Sequence, residues 1–349
     1  MSPSLRFPEF TGEWEKCKIE DITDAVSSGK SKNHFSNGEY NLYGSTGIIG
    51  RTDKALYDGK LVLVARVGAN AGFLQIINEP CGITDNTLIL KPKGIDAFYL
   101  YYFLQHFNLN RLIFGSGQPL ITGGMLKKVK VSLGTISEQS KIVKFLSLLD
   151  ERTAVQSRLI EDLKKLRCAV SNKLFQSVKG VVIPLSGINN IVKGKQINGD
   201  FLAEVGEYYV MNGGTEPSGY YDNYNVEANT ISISEGGNSC GYVQFNRMPF
   251  WSGGHCYTIQ DIVSDVETLY LYHYLKSKED SIMKLRIGTG LPNIQKKDLA
   301  EFKVIIPAIE QQRTISNILS LLERKTEIEG RMLIAMRTEK QYLLHQMFI

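Results

Sequence analysis

Two glycine-punctuated loops carry the side chains best suited to touch a polyanion. Ser28-Gly29-Lys30-Ser31-Lys32-Asn33-His34 and Val192-Lys193-Gly194-Lys195-Gln196 each set basic and amide groups into a flexible turn. Lysine and arginine neutralise phosphates, and arginine, asparagine, glutamine and histidine can hydrogen-bond base edges. Further groups of this kind follow each loop. Arg51, Arg66, Asn70, Asn86, Arg111 and Gln118 follow the first; Asn212, Thr215, Asn223, Asn225, Asn238, His255 and Arg286 follow the second. Any one of them alone reads as a solvated loop residue. Their arrangement as two sets points to nucleic acid.

Nothing else in the chain assembles a catalytic centre. Phe114-Gly115-Ser116-Gly117 is not a dinucleotide fingerprint and has no following Lys-Ser/Thr for a phosphate loop, so it reads as a tight turn. No H-E-x-x-H, G-x-S-x-G or Asn-Pro-Pro-Tyr-like amino-methylation motif occurs. The histidines (His34, His106, His255, His273, His345) are scattered, and His255-Cys256 with Cys240 lacks zinc spacing, so no metal site is expected. The carboxylate pairs Glu161-Asp162 and Glu279-Asp280 read as solvated helix faces.

The two polar sets belong to one module written twice. At an offset of 173, residues 115–175 superpose on 288–348 without a gap, and 17 of the 61 positions are identical. Upstream the repeat is fainter: Val67-Gly68-Ala69-Asn70-Ala71-Gly72-Phe73 answers Gly236-Gly237-Asn238-Ser239-Cys240-Gly241-Tyr242 at an offset of 169, and Tyr99-Leu100-Tyr101 meets Tyr270-Leu271-Tyr272 at 171. A repeat this long means a duplicated domain, not a solenoid. Each copy has a divergent first part and a well-preserved last part.

The preserved parts are helical. Ile142, Phe145, Leu146, Leu149, Leu159, Ile160, Leu163, Leu166, Val170 and Leu174 recur at three-to-four spacing, with Ser137 as a candidate cap and no glycine until Gly180. The second stripe includes Ile315, Ile318, Leu319, Leu322, Ile328, Met332, Met336 and Met347. At 1.5 Å per residue, helices of about 40 residues reach roughly 60 Å. Neither could expose its stripe, so an antiparallel pair is expected, with Ile142, Leu149, Leu163, Val170, Ile315, Leu322 and Met336 in the seam. The divergent parts read as strand-rich: 61–65, 87–90 and 230–233 as strands, 98–107 and 269–278 as short helices. The expected organisation is α+β, with a globular domain over 1–137, a long helix over 138–179, a second globular domain over 180–310 and a second long helix over 311–349.

With 43% hydrophobic and 22% charged residues, this is the composition of a soluble globular protein. No apolar run approaches a membrane span and the N-terminus has no signal core, so a cytoplasmic chain is expected, with its five cysteines reduced. Net charge is +4, yet residues 180–310 hold 10 basic against 15 acidic side chains. Bulk charge therefore does not announce a nucleic-acid binder; only local patches could.

In the order and spacing of these parts the chain resembles the specificity subunits of type I restriction–modification systems. The resemblance rests on the opening Trp14-Glu15-Lys16-x-Lys18-Ile19, the Gly115-Ser116-Gly117-Gln118-Pro119-Leu120-Ile121 turn, and Pro307-Ala308-Ile309-Glu310-Gln311 leading into the second long helix. Where that proline is usual, the first copy has Gly134, and Leu291 stands where the first turn has Gln118. The resemblance implies a non-catalytic reader of double-stranded DNA. Its two target-recognition domains would each dock on half of a bipartite, asymmetric target, and the antiparallel helices would set the spacer. Two methyltransferase subunits would supply S-adenosylmethionine chemistry, and restriction subunits would supply ATP- and magnesium-dependent cleavage. The alternatives are a specificity chain of another restriction or methylation system, and a coiled-coil connector carrying two domains for ligands other than DNA.

Overall fold

A computed structural model of the chain describes residues 3–32, 37–113, 119–288, 290 and 292–348. The chain divides into two compact units, one comprising Met1–Ser157 with Arg331–Ile349 and the other Arg158–Gly330. Two long helices, Ile136–Ser177 and Ile309–Met347, each contribute one half to each unit. The fold is α+β: short strands dominate the globular parts, and regular helix dominates the rest.

The globular parts share one topology. In the first, Thr23–Ser28, Thr87–Pro92, Lys60–Ala65 and Leu74–Asn78 form an antiparallel sheet in that order. In the second, Asn190–Lys193, Cys256–Gln260, Thr230–Ser234 and Val243–Asn246 form the same sheet in the same order. A three-stranded sheet accompanies each, and in both it mixes one antiparallel with one parallel pairing. A two-stranded ribbon closes each domain, Glu15–Lys18 against Lys130–Leu133 and Val181–Pro184 against Lys303–Ile306. The central strand Lys60–Ala65 is apolar on both faces because both faces are covered, as its unbroken Leu-Val-Leu-Val-Ala run demands.

The short helices Ala97–Phe107 and Thr268–Ser277 lie beside these sheets and start on acidic caps, the Asp96 carboxylate accepting from Phe98 N and that of Glu267 from Tyr270 N. Each carries a run of aromatics into its core. In the first unit Tyr99, Phe103, Ile142, Leu146, Leu344, Met347 and Phe348 share one cluster; in the second Tyr270, Tyr274, Phe175, Ile315 and Leu319 do. Ile142 and Ile315, expected in a helix seam, are thus buried in cores that the opposite long helix and a globular domain build together. Leu149 and Val170 pack at the edges of those cores, and Leu163, Leu322 and Met336 are half-buried. Leu159, Leu166, Ile318, Ile328 and Met332 remain 39–49% exposed. A single helix neighbour covers only a narrow strip, whereas a sheet-bearing domain covers the whole apolar face.

The first long helix begins at Ile136, and its cap is Thr135, whose Oγ1 accepts from Glu138 N at 3.3 Å; Ser137, the candidate from sequence, already lies inside the helix. The repeat is preserved in detail here. Gln139 Nε2 donates to Gly134 O at 2.9 Å, as Gln312 Nε2 donates to Pro307 O at 2.9 Å. Gly134 replaces proline for a steric reason. A Cβ there would lie 2.4 Å from Glu138 Oε2 and 2.9 Å from Trp14 Nε1. Glu138 fills that space because it accepts a two-pronged hydrogen bond from Arg6, at 2.7 and 2.9 Å, inside the core.

Candidate nucleic-acid interface

The polar groups gather where the central strand of each sheet ends and the chain doubles back. In the first domain five main-chain hydrogen bonds define this turn: Ala65 N to Phe73 O, Gly72 N to Ala65 O, Arg66 N to Asn86 O and Ile121 N to Arg66 O, at 2.8–2.9 Å, and Gly68 N to Pro119 O at 3.0 Å. In the second the same five recur: Ser234 N to Tyr242 O, Gly241 N to Ser234 O, Glu235 N to His255 O and Ile294 N to Glu235 O, at 2.8–2.9 Å, and Gly237 N to Pro292 O at 3.0 Å. Arg66 and Glu235 therefore occupy one position of a common frame, and Asn86 and His255 another.

The basic loop enters beside each turn through a glycine. Gly29 N donates to Thr87 O at 3.0 Å and Gly194 N to Cys256 O at 2.8 Å. A Cβ on Gly29 would sit 2.3 Å from the Ile83 carbonyl oxygen, and one on Gly194 would sit 2.2 Å from that of Gly253, so neither position admits a side chain. The approach delivers Lys30 and Lys32 to a cleft of about 800 Å³ that Thr46, Ile49, Asp85 and Asn86 also line. Lys30, Lys32 and Asn86 are exposed there. In the second domain Lys195 and Gln196 are exposed on the matching loop, and Trp251 Nε1 donates to Lys195 O at 2.9 Å.

Several expected contacts have other partners. The Asn225 amide clamps Ser252 from both sides, accepting from its N at 2.7 Å and donating to its O at 3.1 Å, so it holds a strand. Asn212 Oδ1 accepts from His255 N at 3.2 Å and positions that histidine. Arg51 donates to the carbonyls of Gly38 and Glu39. Its charge also helps to hold the Glu79 carboxyl below the usual range, chiefly an effect of hydrogen bonds from Asn41 and Tyr43. Asn223 caps its own turn at Tyr224 N. Asn70, Thr215, Asn238 and Arg286 are exposed loop residues, and Arg111 is exposed on the short 3-10 helix Leu109–Leu112. Asn33, His34 and Gln118, and the Phe114–Gly117 turn, lie outside the described residues. Glu279 departs from the solvated role expected of it: it accepts from Val243 N at 2.8 Å and from Lys276 Nζ at 2.6 Å, tying a helix start to a sheet.

Sequence reasoning passed over Glu235. Its Oε1 accepts from Lys193 Nζ at 2.6 Å and Tyr257 OH at 3.0 Å, and His255 Nδ1 stands 3.8 Å from Oε2. The signal was present, because the 169-residue offset that pairs Val67 with Gly236 pairs Arg66 with Glu235. Among the described residues no group of three or more His, Cys, Asp or Glu side chains could hold a metal ion, and no helix is long and apolar enough to cross a membrane.

These are the features of a duplicated DNA reader on a paired-helix frame. The sequence profile of the type I restriction modification DNA specificity domain matches residues 11–165 and again 178–335, and the chain belongs to that family. It is similar to a type I specificity subunit of Mycoplasma genitalium, 25% identical over 372 residues that cover 100% of this chain and 97% of the relative. It is also 28% identical over 326 residues to the MjaVIII specificity subunit of Methanocaldococcus jannaschii, covering 77% of this chain and 73% of that one. Among solved structures, the crystal structure of a type I restriction–modification S subunit from M. genitalium shares the fold, with a TM-score of 0.74 at 24% identity over 100% of this chain and 99% of that one.

Proposed function

We propose that each globular domain reads one half of a bipartite, asymmetric duplex target, and that the two long helices set the number of unread base pairs between the halves. The observation that carries this reading is the twice-built main-chain frame with different side chains mounted on it. A shared frame presents each polar set to a duplex in the same way, while the different sets select different bases. Backbone contacts would come from lysines such as Lys30, Lys32 and Lys195, which carry no sequence information of their own.

In this reading the chain performs no chemistry. It recruits two methyltransferase subunits, and restriction subunits where the system has them. S-adenosylmethionine, ATP and magnesium belong to those partners, and the assembly works on DNA in the cytoplasm. The structural work on type I complex assembly and conformational transition concerns a chain of like fold, with a TM-score of 0.59, and is consistent with a partnered role. The test is to co-express the chain with methyltransferase subunits from a type I operon and map methylated adenines by single-molecule sequencing. Replacing residues 15–130 by the matching region of a relative should change one half-site and leave the other intact. Simultaneous change of both halves would refute the division of labour.

A further inference from the structure

The common frame carries opposite charges at one position. In the first domain Arg66 occupies the end of the central strand. Its Nε is buried and has no hydrogen-bond partner, and among the described residues the guanidinium makes no ion pair. Arginine stays protonated at any ordinary pH, so an unmatched buried guanidinium nitrogen is costly unless a ligand completes it. In the second domain Glu235 holds the equivalent place by the same five main-chain bonds. Among the described residues Lys193 and Tyr257 both donate to Oε1, while His255 Nδ1 stays 3.8 Å from Oε2. The Glu235 side chain is itself only 11% exposed, but Lys193 and His255 beside it are 52% and 63% exposed, so the carboxylate lies just beneath the surface under two accessible side chains.

The two groups have complementary demands. A guanidinium fork offers only donors and matches two acceptors on one edge; guanine provides these as O6 and N7 in the major groove. A carboxylate offers only acceptors and matches an exocyclic amine, that of cytosine N4 or adenine N6. Lys193 neutralises Glu235, which lets an acidic side chain approach a phosphate-lined groove without net repulsion. We propose that position 66/235 is a specificity-determining position in both domains: Arg66 selects a base edge that presents acceptors, and Glu235 selects one that presents an amine. The two half-sites then differ in hydrogen-bond polarity at structurally equivalent base pairs. This inference rests on the reading of the chain as a two-domain DNA reader and specifies what each domain reads.

The experiment uses the assembled complex and a duplex library with both half-sites randomised, followed by sequencing of the methylated products. Glu235→Gln keeps the shape of the side chain but adds a donor. It should lower discrimination at one base pair of one half-site by about tenfold and leave the other half-site unchanged. Arg66→Gln should do the same in the opposite half-site, and among the described residues Arg66 Nε has no hydrogen-bond partner to lose. Glu235→Asp, which keeps the acceptor, should retain the preferred base, and this variant guards against misfolding of the glutamine variant. Unchanged base frequencies in both the glutamine variants, or a uniform loss at all positions as for a phosphate contact, would overturn the assignment while leaving the two-domain reading intact. A wild-type profile without any bipartite preference would instead remove the parent reading.

Discussion

Arg167 donates to Glu323 at 2.9 Å in one unit, and its counterpart 173 residues on, Lys340, donates to Asp150 in the other. Each long helix thus supplies the cation of one pair and the anion of the other, as the duplicated sequence requires. Each carboxylate also accepts from a tyrosine on the adjacent domain helix, Tyr272 to Glu323 and Tyr102 to Asp150, both at 2.8 Å. The pairs therefore tie helix to helix and helix to domain at once.

Glu323→Ala should leave the Arg167 charge and the Tyr272 hydroxyl without this partner. The loss should be about 1–3 kcal/mol, because Glu323 is largely buried and accepts a charged donor. Urea unfolding measures it. The paired swap Arg167→Glu with Glu323→Arg should recover part of the loss, and a swap no better than the single variants would deny the coupling.

Gly134→Ala should destabilise by about 1–3 kcal/mol, since its new methyl group meets the Glu138 carboxylate and the Trp14 ring nitrogen. Gly134→Pro should be at least as damaging, although proline stands at the equivalent position 307. Thermal melting of the two variants decides this, and wild-type stability in either would contradict the packing.

Burial pushes the His273 imidazole down to about 4, and the nearby Arg167 and Arg247 charges add to the effect. Its ring lies 2.9 Å from Ser320 Oγ, with the Tyr272 ring tilted against it at 4.8 Å. The unfolded chain binds this proton near about 6.5, the folded chain only near 4. Its contribution is therefore complete above about pH 6.5 and is lost progressively as pH falls towards 4, by about 3 kcal/mol at most. Urea midpoints at pH 7 and pH 5 should draw closer together in His273→Gln; an unaltered gap would deny the role.

Ile315→Asp should cost at least about 3 kcal/mol, because Ile315 is 3% exposed within a core. Leu163→Asp, at a half-buried site, should cost clearly less, and chemical denaturation ranks the two. The reverse order would restore the seam as the main hydrophobic contact.

Four residues inserted into both long helices, after Val155 and after Ile328, lie between the two ion pairs and leave each pair within its own turn. About 6 Å of added helix should widen the unread spacer by one or two base pairs, at roughly 3.4 Å each, without altering either half-site. Methylome sequencing reads the result, and altered base identity at constant spacing would defeat the ruler.

Much of the architecture was legible because the signals were long. The helical periodicity ran for forty residues, and the duplication aligned 61 positions without a gap. Strands such as 61–65 announced themselves by unbroken apolar runs. The site was less legible, because side-chain type does not reveal a prior engagement. Asn225 reads like a base-reading amide, yet the Ser252 main chain satisfies it on both sides. Glu235 was overlooked for the opposite reason: an acidic residue looks unsuited to DNA until Lys193 is found beside it. Periodicity marks an apolar face without naming all that covers it, and for Ile142 and Ile315 the cover is built by the opposite long helix and a globular domain together.

The turn that mounts Arg66 and Glu235 is held by amide and carbonyl groups of the main chain, which nearly every residue type possesses. Replacement of either side chain therefore leaves those main-chain bonds in place, so the frame itself outlasts a change in the group it mounts.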